Sequence, residues 1–277
     1  MPSVQATSIK EQLRNREDGR KHDEFRKMSI KLGVVTQVKG SAYIEMGDTK
    51  VICSVHPPRE IHNKVSFSPE GELFVEFKYA LFATTDKRDA QLEKEEQNYS
   101  SIMKRALEPA VCRNEFPNFQ IDIYVRVLDD NGSALAAAII AASLALANAS
   151  VPMKGIVTAV TAGIHDDLVL YDLTVEEEKL CSTKVSKENL DRGIIMQAML
   201  SQYNQITEPF YSGNLDCDVL CDTMEALQKA SENIHLLLQE TLLKYVNKTL
   251  EQDRESKSVN KKLEAMDVNN TEKEPKK

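Results

Sequence analysis

Residues 119–149 read FQIDIYVRVLDDNGSALAAAIIAASLALANA, and this stretch decides the fold. Ile121, Ile123, Val125 and Val127 fall at every second position, the period of a strand with one buried face. Asp129-Asp130-Asn131-Gly132 then supplies a turn. From Ser133 to about Ala149 the chain reads as a helix that is apolar nearly all round. A helix without a polar face has to be covered on every side, which puts it at the centre of a fold. It is shorter than the roughly 20 residues a bilayer span needs, and Asn148 and Pro152 close it.

Upstream, residues 40–47 alternate in strand fashion and stop at Gly47-Asp48, and residues 49–56 form a second strand ended by Pro57-Pro58. Together they predict a β-hairpin with a tight Gly-Asp turn. Residues 71–78 predict a third strand. The charged run 86–98 reads as solvated and leads into a helix from about Tyr99 to Arg113, with Ile102, Met103, Ala106, Leu107 and Ala110 at helical spacing. Pro109 predicts a kink or an early end.

Downstream, residues 154–163 and 168–172 predict a hairpin around His165-Asp166-Asp167, followed by a strand over residues 193–200. A final helix is expected from near Asp218 to about Leu250, with Leu227, Ile234, Leu237, Leu238, Leu242 and Tyr245 on one face. Residues 251–277 carry seven acidic and seven basic side chains with few large apolar ones, which predicts a disordered charged tail. The expected organisation is a flexible N-terminus over 1–15, one half over 16–150, a second over 151–250, and the tail. Each half has a sheet and a covering helix, an α/β or α+β arrangement.

The 277 residues carry 35 basic and 43 acidic side chains, a net charge of −8. Such a chain is not steered to nucleic acid by its overall field, so any RNA contact needs a local basic strip. Five scattered cysteines point to a reducing compartment. Cys217 and Cys221 lie four apart, but there is no CxxC and no second pair at zinc spacing, so no metal is expected. The first residues contain no apolar signal-peptide core, and the protein is expected to be soluble and intracellular. His56, His62, His165 and His235 are isolated from any nucleophile and read as structural or surface residues.

Three stretches carry a family resemblance. The first is Arg16-Glu17-Asp18-Gly19-Arg20 with Glu24-Phe25-Arg26, Gly40-Ser41-Ala42 and Gly47-Asp48-Thr49-Lys50-Val51. The second is the turn and helix start from Val127 to Ala137. The third is Val151-Pro152-Met153-Lys154-Gly155 with the run from Leu170 to Glu178. Taken together, and in register from about residue 16 to residue 250, they resemble the RNase PH family. The resemblance implies the RNase PH fold: two mixed sheets with covering helices, in two ribosomal protein-like βαβα halves. Within the family, the NGSALAAA turn and the LTVEEE stretch most resemble the mRNA-transport (MTR) type component of the eukaryotic RNA exosome ring.

Active members of the family read G-[ST]-R-T at the phosphate turn, where the arginine grips phosphate beside a helix N-terminus. Here the turn is Gly132-Ser133-Ala134-Leu135. Ser133 is expected to cap the helix, but Ala134 stands for the arginine and Leu135 for the threonine. The family's acidic pair falls six and twelve positions after Asp172, at Glu178 and Lys184. A lysine in the second place repels the cation that Glu178 would hold. The family's arginine before the long helix falls near Lys94-Glu95. The expectation is therefore a silent site with no catalytic residue and no cofactor.

By resemblance, the partners are other RNase PH-like exosome subunits in a six-membered ring, S1/KH-type cap subunits, RNA threading the channel, and an associated hydrolytic nuclease, with no membrane. Such a subunit supports 3′-to-5′ RNA processing and degradation, rRNA maturation and mRNA turnover included, in the nucleus (nucleolus included) and the cytoplasm. Arg59 sits in a loop that faces the channel in such rings, and Lys87, Arg88, Lys94, Lys104 and Arg105 cluster in sequence. These six are the candidate RNA contacts, because phosphate contact asks only for positive charge at loose spacing. A solvated charged face is the plain alternative for each. Two other functions compete: an active phosphate-dependent 3′-to-5′ exoribonuclease and a stand-alone RNA-binding adaptor.

Overall fold

The computed structural model describes residues 13–14, 16, 18–61, 67–83, 90–166, 168–182 and 192–271. The first half supplies β1 (Met28–Leu32), β2 (Gly40–Met46), β3 (Thr49–Val55), β4 (Arg59–Glu60), β5 (Glu72–Tyr79), α1 (Ala90–Leu107), β6 (Phe119–Asp129) and α2 (Ala134–Asn148). The second supplies β7 (Val157–His165), β8 (Leu168–Tyr171), α3 (Val175–Ser182), β9 (Arg192–Leu200), β10 (Gln205–Asn214) and α4 (Cys217–Thr271). In the first sheet β1, β2, β3 and β6 lie side by side, with β4 and β5 also paired to β6. The second runs β10-β9-β7-β8. The fold is α+β, as expected.

Two mixed sheets were expected, and only the first is mixed. β5 runs parallel to β6 because α1 carries the chain back across the sheet between them. In the second sheet β7 and β8, and β9 and β10, are joined by short turns, and every pair is antiparallel.

Helix α2 lies between the sheets, against β2 and β3 on one side and β7 on the other. Thirteen of its fifteen residues are buried, as a helix without a polar face requires. Alanine spacing lets the backbones close in. A Cβ built on Gly40 would sit 2.4 Å from the Ala149 nitrogen and 2.5 Å from the Ala145 carbonyl oxygen. The one hydroxyl in the helix body, Ser143, accepts the Val157 N–H at 2.8 Å and so ties α2 to the second sheet. On β7, Thr161 faces the α2 side while Thr158 bonds Ser231 of α4 at 2.8 Å. Successive strand residues point to opposite faces, so the start of α4 covers the outer face of this sheet.

Helix α1 starts at Ala90, nine residues before the expected Tyr99, and ends at Leu107 ahead of Pro109. From residue 90 onward the charged run is therefore helical, and it is not wholly solvated. Glu96 is buried and accepts the Tyr79 N–H at 2.9 Å, while Ser100 Oγ accepts the Phe77 N–H at 2.9 Å. β5 is an edge strand, and these helix side chains take outward N–H groups that no neighbouring strand takes.

The chain divides into two compact units, residues 1–235 and 236–277. Within the second unit α4 runs on to Thr271, where composition predicts a disordered tail. No glycine or proline occurs between Gly213 and Pro275, and the polar residues there are mostly good helix formers, so backbone propensity carries the helix past the last large apolar face. β1, β10 and α3 carry too little periodicity to be read from sequence. β10 contains Pro209 and Gly213 and sits at a sheet edge, where proline is tolerated. All five cysteines are free thiols. Among the described residues no helix is long and apolar enough to cross a membrane.

Gly40→Ala tests the close approach of β2 to α2. The added methyl meets backbone that cannot rotate away, so urea unfolding should show a loss of about 1–3 kcal/mol. Unchanged stability would mean that the contact gives way freely.

Candidate functional site

The end of β8 is held by arginines from the N-terminal segment. Asp172 follows β8 with φ +52°, and its carboxylate accepts three bonds from Arg26: the backbone N–H at 2.8 Å, Nε at 2.9 Å and Nη2 at 2.6 Å. Arg26 reaches on to the Asn131 carbonyl at 2.7 Å and the Gly132 carbonyl at 3.1 Å. One guanidinium thus fastens the turn before α2 to the end of β8. Thr49 Oγ1 reinforces the same turn, donating to the Gly132 carbonyl at 2.8 Å and accepting the Asn131 N–H at 3.1 Å. Gly132 has φ +85°, and a Cβ there would lie 2.4 Å from the Leu173 carbonyl oxygen, so only glycine fits.

Arg16 makes a second bidentate pair, Nε to Glu177 Oε1 and Nη2 to Oε2, both at 2.8 Å. Glu177 Oε2 also accepts the Thr174 N–H at 2.9 Å, and Thr174 Oγ1 accepts the Glu177 N–H at 3.4 Å. That reciprocal pair is a capping box opening α3. The acidic run Glu176-Glu177-Glu178 therefore splits by role: Glu176 is exposed, Glu177 is structural, and Glu178 turns toward the cavity.

The turn, α3 and the inner faces of both sheets enclose a cavity of about 150 Å³. Ser133, Ala134, Leu135 and Glu178, four of the five residues singled out from sequence as the altered active site, line it together. The fifth, Lys184, lies outside the described residues. Sequence reasoning missed Asp130, Thr161, Tyr79, Tyr99 and Phe210, which share the lining. Asp130 was in view as a turn residue, but nothing in its spacing shows that it faces inward.

Ser133 does not cap α2 through its side chain. It adopts φ +55°, its Oγ donates to the Leu173 carbonyl at 3.2 Å, and its N–H donates to Glu178 Oε1 at 2.8 Å. A left-handed residue turns its hydroxyl away from the helix N–H groups, and the Glu178 carboxylate takes the first of them instead. Glu178 keeps some exposure through the cavity while protein surrounds its carboxylate. Burial pushes its pKa up to about 7, the Ser133 N–H opposing and the Asp130 charge adding to the shift. Asp130 is also raised by burial, against the pull of the Gly132 N–H. No basic residue is among the lining, so two carboxylates face the place where an anion would have to sit. No group of three His, Cys, Asp or Glu side chains among the described residues is placed to hold a metal.

The four described candidate RNA contacts lie on two elements, β4 and α1. Arg59 lies on β4 and pairs through Nε with the buried Asp122 at 2.7 Å, leaving its side chain largely exposed. Arg105 pairs with Glu208 of β10, Nε to Oε1 at 2.8 Å. Lys94 and Lys104 are exposed on α1, and Lys94 stands inside the helix rather than before it, because the helix begins at Ala90. Lys94 and Arg105 share a helix face roughly 16 Å apart, with Lys104 turned aside. Lys87 and Arg88 lie outside the described residues. His56 packs edge-on against Tyr124, and His165 is buried beside Asp166.

Residues 24–152 match the model of the 3′ exoribonuclease family, domain 1 (RNase PH). The chain is 32% identical over 226 residues to the exosome complex component Rrp41 of Thermococcus kodakarensis, covering 81% of this chain and 87% of that one. Rrp41 of Nitrosopumilus maritimus is 38% identical over 163 residues, covering 58% of this chain and 67% of its own length. In fold, the chain is similar to rice Rrp46, with a TM-score of 0.69 at 24% identity over 82% of this chain and all of that one. It is equally similar to a chain of the Archaeoglobus fulgidus exosome with RNA bound to the active site, with a TM-score of 0.69 at 22% identity over 86% and 98%.

Two substitutions check this geometry. A carboxyl group whose pKa is raised on folding stabilises the fold fully below its unfolded value, near 4.5, and loses that contribution as pH rises through about 7. E178Q keeps an acceptor for the Ser133 N–H and carries no charge. It should gain about 2–3 kcal/mol on the wild type between pH 5 and pH 8, read from denaturation at the two pH values. Arg26→Met leaves Asp172 buried without its partner and should cost about 3–5 kcal/mol; a loss under 1 kcal/mol would remove the pair from its structural role.

Proposed function

The chain belongs to the RNase PH family of 3′ exoribonucleases, and on that premise we propose that it is a non-catalytic subunit of an RNA exosome core ring, shaping the RNA channel. The observation that carries this reading is the lining of the cavity. Ala134 stands where active relatives place arginine, and Glu178 and Asp130 are the charged groups beside it. A phosphate carrying one to two negative charges gains nothing from two carboxylates and a methyl group, and burial magnifies the repulsion. Phosphorolysis requires that anion to be held against the RNA end.

The finer assignment is to the MTR type of ring component, on the NGSALAAA turn and the LTVEEE stretch. The partners are five further RNase PH-like chains, with S1/KH-type caps above them and a separate hydrolytic nuclease supplying the cleavage. The setting is the nucleus, the nucleolus included, and the cytoplasm, in rRNA maturation and mRNA turnover. Arg59, Lys94, Lys104 and Arg105 are the contacts proposed for RNA in the channel, with Lys87 and Arg88. Arg59 and Arg105 each hold a carboxylate with one part of a guanidinium whose side chain is more than half exposed, so a phosphate can share it.

Purification of the tagged full-length chain from its own cells should recover the other ring chains in equal amounts. The recovered chain, isolated and given 3′-tailed RNA with inorganic phosphate, should release no nucleoside diphosphate above background. Recovery alone or as a homo-oligomer would overturn the ring assignment, and phosphate-dependent release of diphosphates would overturn the loss of catalysis.

A further inference from the structure

The cavity beside α2 has walls of a kind that a phosphate site does not need. Two carboxylates, Glu178 and Asp130, face it together with the aromatic rings of Tyr79, Tyr99 and Phe210. Tyr99 and Phe210 stand at 90° with centroids 6.3 Å apart, forming two walls of a corner. Tyr79 and Thr161 are 8% and 5% exposed, and both line the cavity. Among the described residues, neither of their hydroxyl groups makes a hydrogen bond, whereas the Tyr79 N–H is taken by Glu96. Neither hydroxyl oxygen is sealed in protein; each opens onto the cavity, where it can accept a hydrogen bond from a bound group.

We propose that this cavity is a binding site for a small primary ammonium ion, of the class of short alkylamines and diamines. An ammonium carries three donors and no acceptor. Glu178 Oε2, Asp130 and the free hydroxyls supply acceptors for all three. The two rings of the corner accept a cation on their faces, which favours an organic ammonium over a strongly hydrated inorganic one. Ala134, Leu135 and Met196 meet the hydrocarbon chain. Arg26 offsets the charge of both carboxylates only in part, because Asp172 and two turn carbonyls already occupy its guanidinium. Replacement of the phosphate-gripping arginine thus inverts the charge that the pocket accepts.

Isothermal titration of the full-length chain at pH 8 with 1,4-diaminobutane and with n-butylammonium tests this, with n-butanol and inorganic phosphate as comparators. Both amines should bind, and butanol and phosphate should not. E178Q should weaken amine binding by about tenfold or more; its fold is secured by the retained Ser133 bond. Thr161→Val, which removes one acceptor at constant volume, should weaken it severalfold. Butanol binding as tightly as butylammonium would overturn the proposal, since the site would then be merely apolar. So would binding unchanged in E178Q, or magnesium displacing the amine at equal concentration. None of these results bears on ring membership, which the purification decides separately.

Discussion

The Asp172 carboxylate and the Arg26 guanidinium together make the constraint on which the rest of the molecule depends. Asp172 ends a strand of the second half, Arg26 precedes the first strand of the first, and the carbonyls that share the guanidinium belong to the turn before α2. Three distant parts of the chain therefore meet at one charge pair, deep enough that losing either partner would strand the other in a medium of low polarity. The turn conformation, the direction of the central helix and the position of Glu178 all follow from that junction. The same junction draws in Arg16 through the carbonyls of Tyr171 and Asp172. The N-terminal segment thus acts as a clamp across both halves.

The chemistry of the site follows from that frame and from the side chains that line it. An anion site needs a frame that presents helix N–H groups and a cation placed at its edge. The frame is present in the Gly132 turn, but the Ser133 N–H is spent on Glu178 and the position after it is a methyl group. With no cation in the lining, burial outweighs the pull of the backbone N–H groups and of Arg26 and raises both carboxylates. The cavity has a defined polarity because its walls are closely packed.

Much of this was legible in the sequence where periodicity and burial coincide. The alternation of Ile121 to Val127 and the uniform apolarity of residues 134–148 fixed a strand leading into a central helix. The motif positions brought Ser133, Ala134, Leu135 and Glu178 to one cavity. What stayed hidden depended on contacts across the fold. Glu96 looks like one more solvated charge until the open edge of β5 is seen beside it. Thr161 and Tyr79 belong to alternating strands, where inward hydroxyls and rings are ordinary core residues unless the opposite wall is known. Arg16 and Arg26 appeared as motif letters, and their roles depend on partners more than a hundred residues away. The helix beyond Leu250 was missed for another reason, since low hydrophobicity excludes a packed core but not a helix.

The seal that Glu96 and Ser100 place on β5 bears on how such a subunit waits for its neighbours. A bare strand edge is adhesive to any extended chain, and a protein made before its partners arrive presents that edge to every other copy. Here two of the outward N–H groups near the end of β5 are taken by a helix of the same chain. Strand addition at that end cannot begin without first peeling α1 away from the sheet. Association along this border is thereby restricted to surfaces of defined shape, and sheet-to-sheet polymerisation is refused before assembly starts.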